Sequence, residues 1–334
     1  MTSTTTGTAS DARRAERLAT AEALLTRPPP LQALGPLRVV VLDGSVVHAS
    51  RSRPVVRWAL RVDAGAGPFP LAVIGKGYLK GGGEAAWRLL DRLRRAGLDS
   101  PGLQVPEPYG FDRSRQLLAQ EEAPPTTLRT LLDGDPVPAV SAVARVGSWL
   151  ARLHALTGVD VPALPDGFEQ RKLTEYTDAL AVELPGAAGR LAAMTARTLD
   201  GLCRGSTRRV VTHGDFQPAN IHVDGSRVVV IDFDRAASAP AARDIGHFLG
   251  QTLTMGASRH GHLGAAASWV DAFLHGYTAA GGDDRAVAAA PAYVARTFAE
   301  VLFYRLVVRP MPDRSFVPAW LDAWEQSLDP VALR

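Results

Sequence analysis

Val211-Thr212-His213-Gly214-Asp215-Phe216-Gln217-Pro218-Ala219-Asn220-Ile221 and, a little further on, Ile231-Asp232-Phe233-Asp234 hold the most informative pattern in the chain. The spacing is His-x-Asp-x4-Asn, and a second aspartate closes an apolar run. Between the two segments, Ile221-His222-Val223 and Val228-Val229-Val230-Ile231 flank Asp224-Gly225. Asp-Gly between apolar runs predicts a tight β-hairpin. Such a hairpin folds Asp232 back beside Asn220 and leaves Asp215 pointing out of the loop. One carboxylate that orients a hydroxyl and receives its proton then meets two oxygen donors for a divalent cation. Phosphoryl transfer asks for little else from side chains. The plainer reading of the same residues is a loop whose Asp and Asn cap turns.

The segments on either side differ in kind. Leu18, Ala21, Leu24 and Leu25 recur at helical spacing from Asp11 to about Thr26, and Pro28-Pro29-Pro30 stops that helix. Short β-branched runs follow at Leu37–Leu42, Pro54–Val62 and Pro70–Ile74, separated by Gly, Ser and Pro. A helix from Glu84 to about Arg95 and strands near Pro108–Phe111 and Gln116–Glu121 complete a β-rich first third. The remainder is mainly helical. Val140, Val143, Val146, Trp149, Leu150 and Leu153 mark one buried face. Further helices are expected at Thr174–Leu184, Ala187–Leu202, Ala241–Thr254, Gly264–Ala279, Ala290–Val307 and Val317–Ser327.

The stretch from Val211 to Asp234 resembles the catalytic loop and metal-binding strand of the aminoglycoside phosphotransferase and choline kinase-like superfamily, small-molecule relatives of protein kinases. His-Gly-Asp stands where protein kinases have His-Arg-Asp, and Asp232 is not followed by Phe-Gly. The resemblance implies an α+β, bilobal protein-kinase-like fold with a small β-rich N-lobe and a larger, mainly helical C-lobe. Residues 1–36 would be a tail and helix, 37–122 the nucleotide-binding lobe, and 123–334 the lobe with the catalytic loop, metal site and acceptor site. By the same resemblance Asp215 is the catalytic base, and Asn220 and Asp232 are Mg²⁺ ligands. His213 would pack beneath the loop and Asp244 would brace it. Asp234 is open between a second metal or substrate role and pairing with Arg235.

In the first third, Leu71-Ala72-Val73-Ile74-Gly75-Lys76 resembles the strand that aims an ammonium at the α- and β-phosphates, with Glu84 placed to hold Lys76. Lys80 competes with Lys76 from a glycine-rich setting, and Glu84 also reads as a favourable charge in a first helical turn. Asp43 to Arg53 lacks the glycine series of a protein-kinase phosphate loop. The Ser50 and Ser52 hydroxyls, backbone N–H groups and arginine charge would cover phosphates instead. Gln120 to Pro124 falls where a hinge belongs, so the backbone of Glu121 to Ala123 would meet the adenine edge. His154 reads as a packed core residue.

Composition narrows the function. Hydrophobic residues make up 46% and charged residues 21% of 334, which suffices for a sizeable core. No apolar run approaches the roughly 20 residues of a membrane span. The N-terminus shows no apolar signal region and Cys203 is the one cysteine, so the expected compartment is the cytoplasm. The net charge of +3 is spread along the chain, which gives no nucleic-acid footprint. A pI of about 9.2 argues against a site for polycationic aminoglycosides and fits a neutral or anionic acceptor, or an acidic peptide. The expected function is Mg²⁺-dependent transfer of the γ-phosphoryl group of ATP or GTP to a hydroxyl of a sugar-containing or natural-product small molecule. Phosphorylation of Ser or Thr in a precursor peptide is the alternative. A nucleotide-binding pseudokinase is a third reading, opposed by the presence of Asp215, Asn220 and Asp232 together.

Overall fold

The computed structural model describes residues 5–65, 67–134, 136–204 and 208–329; Met1–Thr4 of the polar tail lie outside them. Two compact units are present. One comprises Met1–Asp99 with Val105–Ala123, the other Ser100–Gln104 with Pro124–Arg334. The first is β-rich and the second mainly helical, which is the α+β, kinase-like architecture expected.

In the β-rich unit, α1 (Thr5–Glu22) precedes β1 (Arg38–His48), β2 (Val55–Asp63), β3 (Pro68–Gly77) and α2 (Gly83–Arg95). In chain order β4 (Asp99–Ser100) follows at the unit boundary, then β5 (Leu103–Gln104), which belongs to the helical unit, and then β6 (Pro108–Asp112) and β7 (Leu117–Glu121). The sheet order is β1-β2-β3-β7-β6, antiparallel throughout. Strand alternation builds the core. Val56, Trp58, Leu60 and Val62 turn inward on β2 and meet Val73, Leu117 and Ala119, with Ala21 and Leu24 covering them. The β1 strand runs six residues past the expected stop at Leu42. Asp43, Gly44 and Ser45 look like breakers, but irregularities at Val41/Asp43 and Val46/His48 absorb them within the ladder. The loop carrying Ser50 and Ser52 is therefore short.

The helical unit contains α3 (Leu128–Leu132), α4 (Pro136–Ala155), α5 (Phe168–Glu183) and α6 (Ala188–Arg204). Four short strands come next: β8 (Arg209–Thr212), β9 (Ile221–Asp224), β10 (Arg227–Val230) and β11 (Ala237–Pro240). Helices α7 (Ala242–His260), α8 (Ala267–Ala279), α9 (Asp284–Phe303) and α10 (Val317–Ser327) complete it. β8 pairs with β11, while β10 pairs with β9 and, in parallel, with β5. The β9–β10 hairpin forms, but Asp224 pairs with Arg227, so the turn is Gly225-Ser226 rather than Asp224-Gly225.

On α4 the expected face is buried at Val143, Val146, Trp149, Leu150 and Leu153, with Val140 half-buried near the helix start. Asp284–Val308 is, by length and composition, apolar enough to cross a bilayer, contrary to the sequence-based expectation. Its most apolar window is 67% buried inside the protein, so burial accounts for the composition.

Helices α4 and α8 approach to backbone contact. A Cβ on Gly276 would lie 1.9 Å from the Ala144 carbonyl oxygen, and one on Gly147 would lie 2.2 Å from that of Phe273. Ser148 Oγ donates to the Gly276 carbonyl at 3.1 Å across the same crossing. Backbone cannot yield as a rotamer can. Gly276→Ala should therefore destabilise the helical unit by about 1–3 kcal/mol or more, read as a lower urea midpoint by near-UV circular dichroism. Parent-like stability would show that the two helices do not touch through their backbones.

Candidate active site

The loop after β8 hangs from one buried carboxylate. Asp244, in the first turn of α7, accepts the His213 N–H at 2.6 Å on Oδ2 and the Gly214 N–H at 2.8 Å on Oδ1. His154 Nε2, from α4, approaches Oδ2 at 3.3 Å. Burial works against the charge of Asp244, but the hydrogen bond and charge of His154, with Arg243 and His213, outweigh it and hold the carboxyl at about 2. Gly214 has φ +82°, and a Cβ there would stand 2.1 Å from the Arg235 carbonyl oxygen, so only glycine fits. His213 is fully buried. Its Nε2 donates to the Ile231 carbonyl at 2.8 Å, and its Nδ1 accepts the Asp215 N–H at 3.2 Å. Both ring nitrogens are spoken for in the neutral form, and burial pushes the pKa down. His213 is a strut of the loop.

Asp215 projects from this support with 19% of its side chain exposed. Oδ1 accepts from Gln217 Nε2 at 3.0 Å and Oδ2 from Asn220 Nδ2 at 3.4 Å. His247 Nε2 lies 3.3 Å from Oδ1, short of hydrogen-bond alignment, and Arg235 Nη1 lies at 3.9 Å. Burial raises the Asp215 pKa, and His247, Arg235 and His213 more than reverse that, so the carboxylate is ionised at neutral pH. It is thus an acceptor ready for a hydroxyl proton.

Asn220 ends the turn Pro218–Asn220 and donates Nδ2 to the Asp215 carbonyl at 3.0 Å, leaving its side-chain oxygen without a hydrogen bond among the described residues. Ile231 N–H donates to the Asn220 carbonyl at 3.0 Å, which sets Asp232 beside Asn220. Asp232 adopts φ +69°, a left-handed conformation that costs a non-glycine residue of order 1–3 kcal/mol and collects at functional sites. Among the described residues no three His, Cys, Asp or Glu side chains converge on one cation position. Asn220 and Asp232 fit a cation whose shell is completed by phosphate oxygens and water, the usual arrangement for Mg²⁺. Asp234 is exposed.

Two adjoining cavities lie beside this loop, and the smaller one includes Asp215. One of about 520 Å³ is lined by Gly214, Arg235 and His247 on one side and by Tyr176, Tyr293 and Phe303 from α5 and α9. The other, of about 340 Å³, includes Asp215, Gln217, Arg235 and His247. A buried charge network walls them: Arg243 meets Glu169 at 2.6 Å, and Arg296 meets Glu169 at 2.7 Å and also Glu300. His247 and this network went unnoticed in the sequence, and Arg235 was read there only as a partner for Asp234. Arg296 and Glu300 stand at i,i+4, a signal also given by any exposed helical pair.

In the β-rich unit, Lys76 is half-buried on β3, opposite Val55 and Leu118, with Nζ 5.5 Å from the Tyr78 ring centre. Lys80 is exposed in a turn. Glu84 does not hold Lys76. Its carboxylate is taken by Arg88 and Arg113, each at 2.7 Å, because the first turn of α2 faces those cations. Ser50 Oγ accepts the N–H groups of Ser52 and Arg53, so that hydroxyl and those amides form a turn of their own. Of the loop's arginines, Arg51 pairs with Glu16 at the surface and Arg53 lies over Tyr78. At the end of β7, Glu121 N–H donates to the Glu107 carbonyl and Glu122 is clamped by Arg57 at 2.7 and 2.9 Å. Ala123 N–H makes no hydrogen bond among the described residues, and the chain enters the helical unit at Pro124.

A family model described as the phosphotransferase enzyme family matches residues 59–290. No curated protein matches the chain significantly. Among solved structures, a choline/ethanolamine kinase family protein from Mesorhizobium loti superposes with a TM-score of 0.60 at 14% identity, covering 95% of this chain and 99% of the other. A glucosamine kinase with glucosamine, ADP and inorganic phosphate gives 0.56 at 18% identity, covering 91% and 86%. A spectinomycin phosphotransferase with ADP and spectinomycin gives 0.54 at 12%, covering 88% and 92%. At these identities the likeness shows the fold.

Asp244 also sets an acid limit on stability. Its folded value of about 2 lies below the ordinary 3.8, equivalent to about 2 kcal/mol of stabilisation at neutral pH. Because the folded value is the lower one, that contribution is complete above about pH 4 and is lost as pH falls towards 2. Asp244→Asn replaces one accepting oxygen by an N–H₂ that opposes a backbone donor. It should cost about 1–3 kcal/mol at pH 7 and flatten this part of the pH–stability curve. An unchanged acid limb in urea titrations would show that Asp244 is not the group responsible.

Proposed function

The chain belongs to the phosphotransferase enzyme family, and on that premise we propose that it moves the γ-phosphoryl group of ATP to a hydroxyl of a small molecule with Mg²⁺ held by Asn220 and Asp232. The observation that carries the reading is the ionised Asp215, locked by Gln217 and Asn220 beside those two oxygen donors and open to a cavity. The acceptor hydroxyl donates to Asp215, its oxygen attacks the γ-phosphorus, and the bond to the bridging β–γ oxygen breaks. The proton passes to Asp215 and ADP leaves. Mg²⁺, when bound, neutralises charge on the β- and γ-phosphates. Lys76 would meet the α- and β-phosphates, and the Ala123 N–H and Glu121 carbonyl would meet the base; GTP would be an alternative donor. A cavity of about 520 Å³ has the volume of small-molecule sites, which favours a small acceptor over a peptide. The cytoplasm supplies ATP and Mg²⁺, and we place the reaction there.

Asp215→Asn should keep nucleotide binding by calorimetry and lose about 10²–10⁴ in kcat, the scale of a general base. Asp232→Ala should raise the Mg²⁺ needed for turnover, and EDTA should abolish it reversibly. Full turnover of Asp215→Asn, or any turnover in EDTA, would remove the mechanism.

The two lysines separate in one nucleotide titration. Lys76 is fixed on a strand, whereas Lys80 follows it in an exposed turn. Lys76→Ala should raise the nucleotide KM and lower kcat by about tenfold or more, and Lys80→Ala should change either by less than about twofold. The reverse order would move the phosphate-binding role to Lys80.

A further inference from the structure

Arg235 lies in the turn Phe233–Arg235 that follows Asp232, and both cavities near Asp215 are lined by it. Its guanidinium approaches Asp215 Oδ1 only to 3.9 Å, beyond hydrogen-bond reach, and makes no hydrogen bond among the described residues. Five N–H donors in a planar fork thus face the cavity uncommitted. Deeper in the same wall, Arg243 is 9% exposed and donates Nε to Glu169, while its Nη1 is buried with no partner.

The charges of the larger cavity do not cancel. Lys172 is matched by Glu175 at 2.5 Å. Arg243 and Arg296 are matched by Glu169 and Glu300. Arg235 is the cation left over, held only loosely by Asp215. The two buried carboxylates of the wall, Glu169 and Glu300, are already held by arginines, and Glu175 is held by Lys172. To win Glu169 or Glu300 a cationic acceptor would strip a buried guanidinium of its partner, which is strongly unfavourable. An oxyanion breaks neither ion pair and takes a guanidinium fork that otherwise goes unused.

We propose that the acceptor carries an anionic oxygen group, carboxylate or phosphate, beside the hydroxyl that is phosphorylated, and that Arg235 receives that group. The inference rests on the phosphotransferase reading above. Arg235 is then the specificity-determining residue, and the acceptor is bound through two points, hydroxyl to Asp215 and oxyanion to Arg235.

The test offers the full chain, with ATP and Mg²⁺, hydroxyl compounds matched except in charge: glucuronate, glucose 6-phosphate, glucose and glucosamine, with a wider library sorted the same way. Phosphate incorporation is read by mass spectrometry. The anionic members should be favoured by about tenfold or more in kcat/KM, the scale of a hydrogen bond to a charged group, and the better of the two identifies carboxylate or phosphate. Arg235→Glu should erase or invert the preference, and Arg235→Lys should retain part of it. A neutral or cationic preference overturns the proposal. So does an equal loss with every acceptor in Arg235→Gln, which would place Arg235 on the transferring phosphoryl group. If no compound is phosphorylated, calorimetry with glucuronate and glucose 6-phosphate at saturating ADP and Mg²⁺ decides. Binding weakened about tenfold or more by Arg235→Glu supports the proposal, and absence of binding overturns it. Failure of the phosphotransferase reading shows differently, as anion binding by a chain that neither binds nor consumes MgATP.

Discussion

The arrangement around Asp215 depends on a single carboxylate that never meets solvent. Asp244 takes two successive backbone N–H groups, those of His213 and Gly214, with one oxygen each. Backbone donors this deep are costly to leave unpaired, so the loop has no second place to go. With His213 and Gly214 fixed, the direction of Asp215 follows. The absence of a Cβ at Gly214 lets the loop lie against the Arg235 carbonyl, so the loop and the turn after Asp232 share one contact. Placing Asp244 in the first turn of a long buried helix adds the favourable end of the helix dipole to its charge.

His213 connects the two halves of the chemistry. One ring nitrogen donates to the Ile231 carbonyl and the other accepts from the Asp215 backbone. A protonated ring would turn Nδ1 into a donor facing the Asp215 N–H, so the tie works only while the histidine is neutral, the form that burial favours. Ile231 is also held by its N–H to Asn220. The residue that follows, Asp232, is thereby kept in a left-handed conformation that an isolated chain would leave. The strain is stored where the cation would sit, and the hairpin and the histidine jointly maintain it.

What the sequence revealed was local, and what it hid was assembled over distance. The run from Val211 to Asp234 is contiguous, so its loop, hairpin and aspartates were legible together. Even there the turn was read one residue early, because Asp-Gly is the stronger signal and Gly225-Ser226 does the work. Gly44 and Ser45 read as breakers, yet the long side chains of Leu25 and Trp58 cover Gly44 and the ladder continues. The four-residue strands β8 and β11 are too short for a period to register. Glu84 was assigned to Lys76, close by in the chain, while Arg113, which the fold of β6 brings alongside, was out of sight. The network of Glu169, Arg243, Arg296 and Glu300 joins α5, α7 and α9, and no single helix displays it.

That network is a poor device for stability. Replacing a buried ion set by well-packed apolar residues is often neutral or stabilising by about 1–4 kcal/mol. Yet four charged side chains, each less than a tenth exposed, line a cavity next to Asp215 in this chain. Their value lies in what they deny and what they leave over. With Glu169 and Glu300 engaged by arginines, the wall presents little free negative charge despite its acidic residues, and a visiting ammonium gains nothing it can keep. Arg243 and Arg296 cannot turn away either, because those carboxylates hold their guanidinium groups. Arg243 keeps Nε on Glu169, and its remaining donors are fixed in direction. Arg243 and Arg296 so held keep the wall beside Arg235 fixed, and a wall that need not reorganise separates a recognition surface from a merely basic one.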